Sequence, residues 1–257
     1  MKRLAFTVFV ATTAGAAFGH SAASADLSTK APAYKAVPAV TPTYSWSGCY
    51  IGGQAGGGWS HSNWTNRVSE VPWADFNPGD GISYHASGWI GGGQLGCNYQ
   101  IDRQWVLGIE GTIAGAGIKG SRLDTVFGQQ DDTYSNKITA LYTITGRLGY
   151  AWNDWMLYGK GGFASARVDW AAVDTSGVNQ GAGQASLWHQ GWTVGAGLDH
   201  ALSSGFIVGI EYGYVGLNAK TGQFGDTTGS YLNDVAPSHI HTVVGRLSYK
   251  FSGPFGR

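Results

Sequence analysis

Residues 138–163 read ITALYTITGRLGYAWNDWMLYGKGGF, and each half of this stretch alternates. In the first half Ala140, Tyr142, Ile144, Gly146, Leu148 and Tyr150 share one face, while Thr139, Thr143, Thr145, Arg147, Gly149 and Ala151 fall mainly on the other. In the second half Trp155, Leu157, Gly159, Gly161 and Phe163 alternate with Met156, Tyr158, Lys160, Gly162 and Ala164. A side-chain period of two means extended strands. Asn153-Asp154 between them suits a tight turn, which makes the two strands an antiparallel hairpin. Arg147 and Lys160 lie on the face predicted to be inside, and aromatic and aliphatic residues dominate the outer one. That distribution is inverted for a protein in water and natural for a barrel wall in lipid.

The composition agrees with this reading. Charged residues make up 12% of the chain, about half the usual share of a soluble domain. Aromatics reach 13% and there are 42 glycines, which suits lipid-facing strands with aromatic girdles. The formal charge balances at zero, so no electrostatic case for a nucleic-acid partner arises. Beyond the N-terminus no segment has the roughly 18 uninterrupted apolar residues of a membrane helix. A chain of this kind enters a membrane as a closed barrel, because an open sheet leaves backbone groups unpaired in hydrocarbon.

The N-terminus reads as a secretory signal over residues 1–25. Lys2 and Arg3 supply the basic start, Leu4 to Ala17 the apolar stretch, and Ala23-Ser24-Ala25 the small-residue cleavage site. Cleavage is expected between Ala25 and Asp26, and no cysteine follows that would carry a lipid anchor. Residues 26–45 are rich in Pro, Ala and Lys without strand periodicity, and read as an extended periplasmic arm. Residues 46–257 are left for the barrel.

Period two predicts eight strands: about 46–60, 85–99, 104–114, the two strands of the hairpin, 188–201, 206–217 and 239–251. Long polar segments (61–84, 115–137, 170–187, 218–238) alternate with short turns near Ile101-Asp102-Arg103, Asn153-Asp154 and Ser203-Ser204-Gly205. Outer-membrane barrels have that asymmetry, with long loops outside and short turns in the periplasm. An even strand number then places both termini in the periplasm. There is also an internal repeat. GWIGGGQLG (88–96) matches GWTVGAGLD (191–199), VLGIEG (106–111) matches IVGIEYG (207–213), and GRLGY (146–150) matches GRLSY (245–249). Strands two to four echo strands six to eight, as if a four-strand unit had doubled.

In order and spacing, WSGCYIGGQAGGGW, GWIGGGQLGCNYQ, WVLGIEG, GRLGYAWNDWMLYGKGG, GWTVGAGLDHAL and the closing HTVVGRLSYKF resemble the small outer-membrane β-barrel proteins of alphaproteobacteria. These are the immunogenic surface proteins of the Omp25/Omp31 type. The resemblance spans nearly all of the chain after the signal. It implies an all-β, eight-stranded antiparallel up-and-down barrel, an outer-membrane address, no enzymatic activity and no cofactor. Its partners would be outer-membrane lipid and lipopolysaccharide, with the barrel-assembly machinery engaging the C-terminal strand. Two features depart from the pattern. Cys49 and Cys97 stand where an aromatic is usual, and SGPFGR follows Phe251, so either Phe251 or Phe255 could be the terminal assembly signal.

On the predicted strands Glu110, Arg147, Lys160, Asp199, Glu211 and Arg246 all point into the lumen, at similar heights above the short turns. An eight-stranded barrel is just wide enough for side chains to fill it. The six charges are therefore expected to pair as a structural plug, with Glu110 and Asp199 as partners of Arg147 and Lys160. A narrow gated pore is the alternative. Five histidines, His61, His85, His189, His239 and His241, fall beside the long segments and would ring the outer mouth, where imidazoles can titrate or bind a metal or haem iron. Only His239-x-His241 has a tight spacing. Cys49 and Cys97 face outward on adjacent strands, either as two small apolar residues or as a disulfide. The runs Gly91-Gly92-Gly93 and Gly56-Gly57-Gly58 lack the following helix and Lys-Ser/Thr of a phosphate loop, and no catalytic set gathers on one face. The expected function is a surface-exposed envelope barrel, with a porin-like channel or a haem- or metal-binding surface protein as the alternative.

Overall fold

The computed structural model describes residues 44–69, 81–123, 132–174, 182–225 and 230–251. The hairpin forms with its turn at Asn153-Asp154, where Asn153 takes φ +52°, a left-handed conformation that Asn tolerates. Trp152 faces Trp155 across the turn and Arg147 faces Lys160 five pairs above it. Around this hairpin the chain runs as β1 (Gly48–Ser69), β2 (Gly81–Gln100), β3 (Trp105–Leu123), β4 (Asp132–Trp152), β5 (Trp155–Asp174), β6 (Ala182–Ala201), β7 (Phe206–Leu217), β8 (Lys220–Gly225) and β9 (Ser230–Phe251).

Every neighbour pairs antiparallel in chain order, and β9 returns to β1 to close the wall. The nine segments make eight positions in that wall, because β7 and β8 both pair with β9. They form one position interrupted at Asn218-Ala219, where the Asn218 N–H donates to the Gln190 carbonyl at 2.9 Å. The fold is an eight-stranded closed antiparallel barrel without a helix among the described residues.

The strands outrun their expected lengths. β3 continues to Leu123 rather than about Ala114, and β1, β6 and β9 likewise extend into segments that read as loops. At this end the outward positions are mostly polar or small, so the outer half of the alternation is lost. The inner half persists in Ile118, Ile138, Val168 and Trp170, each at most 1% exposed. A bulge at Thr139 adds one residue to β4 and inverts its parity, so Ile138 and Asn136 turn inward above it. Pro237 is accommodated beside another irregularity, between its pairing with Ser62 and that of His239 with His61.

The outer face is apolar in a band. Ile113, Ile144, Ile109, Leu95 and Ile210 are 57–63% exposed. Aromatic rings flank the band on both sides. Near the short turns Trp105 packs edge-on to Tyr150 at 5.4 Å and Phe206 to Tyr249 at 5.2 Å. Toward the long-loop end Tyr142 meets Trp188 at 5.4 Å and Trp192 meets Tyr214 at 5.3 Å. Tyr142 and Tyr150 lie eight residues apart on β4. That is about 27 Å along the strand and roughly 21 Å along the barrel axis at a tilt of about 40°. The spacing is close to the apolar height of about 25 Å in membrane barrels.

Candidate functional site

Three layers fill the lumen. At the short-turn end Trp46, Val106, Ala151, Met156, Ala201 and Ile207 form an apolar cluster, with Trp46 fully buried. Trp46 is held by its N–H to Gln100 Oε1 at 2.9 Å and by the edge of the Tyr44 ring at 5.0 Å. Lys250 Nζ lies 4.1 Å above the Tyr44 ring and also donates to the Ser45 carbonyl. Burial, with a smaller push from the Asp154 carboxylate, raises the Tyr44 phenol to about 12. At the long-loop end a larger apolar cluster includes Ile90, Ile118, Ile138, Leu141, Val168, Trp170, Val215 and Ile240.

Between them lies the charged layer, where all six predicted lumen residues converge. Arg147 Nη2 donates to Asp199 Oδ2 at 2.8 Å, and Arg147 Nη1 lies 3.4 Å from Glu110 Oε2. Lys160 Nζ bridges Glu110 Oε1 at 3.0 Å and Glu211 Oε1 at 2.6 Å. Arg246 pairs with both Glu110 and Glu211. No side chain of the six is more than 6% exposed. One expected pairing is corrected: Lys160 reaches Glu110 and Glu211, and the carboxylate of Asp199 goes to Arg147. Met156, four residues before Lys160, is the β5 residue opposite Asp199, so Lys160 stands higher on the wall and extends across the lumen.

Two tyrosines complete the layer, and sequence reasoning did not single them out. The Tyr50 hydroxyl donates to Glu110 Oε2 at 2.7 Å and accepts from Arg147 Nη1 at 2.6 Å. The Tyr158 hydroxyl donates to Glu211 Oε2 at 2.8 Å, and the Arg147 guanidinium lies 3.7 Å above the Tyr158 ring. Each tyrosine has a glycine beneath it. A Cβ on Gly96 would strike the Tyr50 hydroxyl, and one on Gly197 the Tyr158 hydroxyl. The register repeats the arrangement: Gly96 lies between Tyr50 and Glu110 as Gly197 lies between Tyr158 and Glu211, and Arg147 answers to Arg246. This pairing is two residues out of step with the GWIGGGQLG/GWTVGAGLD match. The halves differ at one place in each of two further pairs. Asp199 corresponds to Asn98, and each approaches a glycine on the next strand, Gly209 and Gly108. Lys160 corresponds to Gly52.

The histidines do not form the expected ring. His189 turns into the lumen, fully buried, with Nδ1 3.1 Å from the Asn218 carbonyl and Nε2 accepting from Trp170 Nε1 at 3.4 Å. The other four lie on the outside of the wall, because odd positions of β1, β2 and β9 face outward there. His61 stands in register with His85 on one side and His239 on the other. His239 and His241 hydrogen-bond the hydroxyls of Tyr214 and Tyr212 at 2.5 and 2.7 Å. Among the described residues, no three His, Cys, Asp or Glu side chains are grouped to hold a metal. Cys49 and Cys97 face each other across β1 and β2 with Cα atoms 4.0 Å apart and are joined as a disulfide. Of the two candidate assembly signals, Phe251 ends β9 with its ring on the outside, and Phe255 lies outside the described residues.

A closed antiparallel wall with an apolar outer band, aromatic girdles and a charged interior defines an outer-membrane β-barrel. The comparisons agree. Residues 11–251 match the family model of the outer membrane protein beta-barrel domain. The chain is 32% identical over 254 residues to the 31 kDa outer-membrane immunogenic protein of Brucella melitensis, covering 92% of this chain and 96% of that protein. It is 29% identical to the 25 kDa outer-membrane immunogenic protein of Brucella abortus, covering 91% and 92%. Among solved structures it is similar to the outer membrane protein OprG of Pseudomonas aeruginosa, with a TM-score of 0.47 and 11% identity, covering 80% of this chain and 97% of that one. The chain belongs to the outer-membrane β-barrel family, within its alphaproteobacterial Omp25/Omp31 type, and resides in the outer membrane.

Proposed function

We propose that this protein is a sealed, non-enzymatic barrel that reinforces the outer membrane and displays its long loops at the cell surface, with both termini in the periplasm. The observation that carries this reading is the filled lumen. Three cations and three carboxylates balance in one buried layer, with apolar clusters above and below it. An ion crossing would have to pass two apolar clusters and break a layer of paired charges, and buried charges separated from their partners are costly. The catalytic role is argued against by the same packing: the lumen carboxylates are all engaged by cations, which leaves none open to a substrate. β9, which ends in the outward-facing Phe251, is the strand offered to the assembly machinery.

Planar-bilayer recording on the refolded, heat-modifiable protein tests the seal. The expected result is a bilayer that stays non-conducting although gel migration shows a folded barrel. A large, steady conductance from the intact protein overturns the proposal in favour of a pore.

A further inference from the structure

We infer that the outer wall of β3, β4 and β5 carries a docking site for a phosphorylated glycolipid of the outer leaflet, built on Lys119, Lys137 and Arg167. The inference rests on the reading above that the long-loop end faces outward from the cell. Lys119 and Lys137 stand directly opposite each other on β3 and β4, and both are exposed on the outside of the wall. Like charges in register on neighbouring strands repel, so this pair costs stability unless an anion lies between or beside it. Lys137 is in turn in register with Asp169 on β5, but that carboxylate is already engaged. It accepts from Ser186 Oγ at 2.7 Å and lies 3.5 Å from Arg167 Nε. Among the described residues neither lysine has an ion-pair partner, and the patch of three cations and one carboxylate keeps a surplus of two positive charges.

What lies beneath the patch selects the ligand. Arg167 is in register with Trp188 on β6, whose ring meets Tyr142 at 5.4 Å, and below these come Ile144 and Phe163, 62% and 48% exposed. Between Lys119 and this aromatic shelf Gly115 faces Ala140 across β3 and β4, and the Trp89 ring lies over Gly117 at the side. A cationic head site sitting over an aromatic shelf and an apolar band fits a molecule with phosphates at one end and acyl chains at the other. A soluble phosphate uses only the first of these features. Charge-assisted bonds to phosphate hold the head. Cationic side chains at a membrane surface attract anionic lipid in the same way.

The test uses the full mature chain in detergent, with its heat-modifiability midpoint followed while diphosphorylated lipid A is titrated. A Lys119→Gln/Lys137→Gln variant is run beside it. Both lysines are exposed, so unchanged gel migration of the variant without lipid verifies its fold. Diphosphorylated lipid A is expected to raise the midpoint of the parent, with affinity for the variant lower by roughly tenfold or more. Dephosphorylated lipid A should bind the parent about as weakly as the diphosphorylated form binds the variant, and inorganic phosphate at equal concentration should not compete. Equal binding by parent and variant, or full competition by inorganic phosphate, overturns the inference. An epitope inserted at residues 124–130 and probed on intact cells separates the two levels. An inaccessible epitope defeats the surface orientation, whereas an accessible epitope with no phosphate-dependent lipid binding defeats the docking site alone.

Discussion

Replacing Arg147 by alanine gives the sharpest test of how the lumen is held. Arg147 is the only cation within salt-bridge distance of Asp199 among the described residues, at 2.8 Å, and its second nitrogen reaches Tyr50 and Glu110. Glu110 keeps Lys160 and Arg246 after the substitution, so its charge stays compensated. Asp199 does not. It is 4% exposed and loses its cation, and the layer shifts from neutral to one excess negative charge. Breaking a buried pair in this way costs about 3–5 kcal/mol, most of it from the stranded charge. At about 1.4 kcal/mol per tenfold change, the folding equilibrium should fall by roughly two to three and a half decades. Urea unfolding in detergent micelles, read by heat-modifiable migration, measures this. Removing the stranded charge should return most of the loss, so Arg147→Ala/Asp199→Asn is expected to be more stable than Arg147→Ala alone. Conductance should stay near zero in both, because the apolar layers remain. If the double variant is no better than the single one, the stranded-charge explanation is wrong and the arginine acts through packing.

Other consequences are as direct. Gly96→Ala should lose about 1–3 kcal/mol through the clash with Tyr50, whereas Gly146→Ala, with no atom within 4 Å of the added Cβ, should be neutral in the same unfolding assay. Trp46→Ala empties the lower apolar layer and should cost about 3–5 kcal/mol, checked in the same titration. Intact-mass measurement before and after reduction should differ by the two hydrogens of a Cys49–Cys97 bridge. Its loss should lower stability by at most about 4 kcal/mol, the loop-closure value for a separation of 48 residues. N-terminal sequencing of protein from the membrane fraction should begin at Asp26, and any other start would move the signal boundary.

The wall was legible because lipid imposes a two-residue rhythm on it. Trp89, Leu95, Ile109, Ile144, Leu157 and Ile210 all face outward as their parity demands. Glu110, Arg147, Lys160, Asp199, Glu211 and Arg246 were found by the same rule, since a charge on an otherwise apolar strand stands out. What escaped had no such contrast. Toward the long-loop end the outward residues of β3 to β6 are mostly polar or small, so the strands read as loops, and the Thr139 bulge broke the count. Tyr50 and Tyr158 were hidden because tyrosine fits either face of a wall; only the register that sets them against Gly96 and Gly197 marks them as inward. The histidine ring was drawn from position along the chain, and parity alone would have sent four of the five to the outside.

The doubling also bears on how the barrel gets into the membrane. β1 to β4 bring Glu110 and Arg147 to the lumen face, one charge of each sign. β5 to β9 bring Lys160 and Arg246 with Asp199 and Glu211, again in balance. Lys160 and Asp199, which have no charged counterparts in the first half, offset each other. The lumen layer of each half-wall is therefore electrically neutral before it meets the other. A sheet inserted half at a time carries no net charge in its lumen layer at the midpoint, and the pairs that cross between halves, Arg147 with Asp199 and Arg246 and Lys160 with Glu110, form only as the barrel closes.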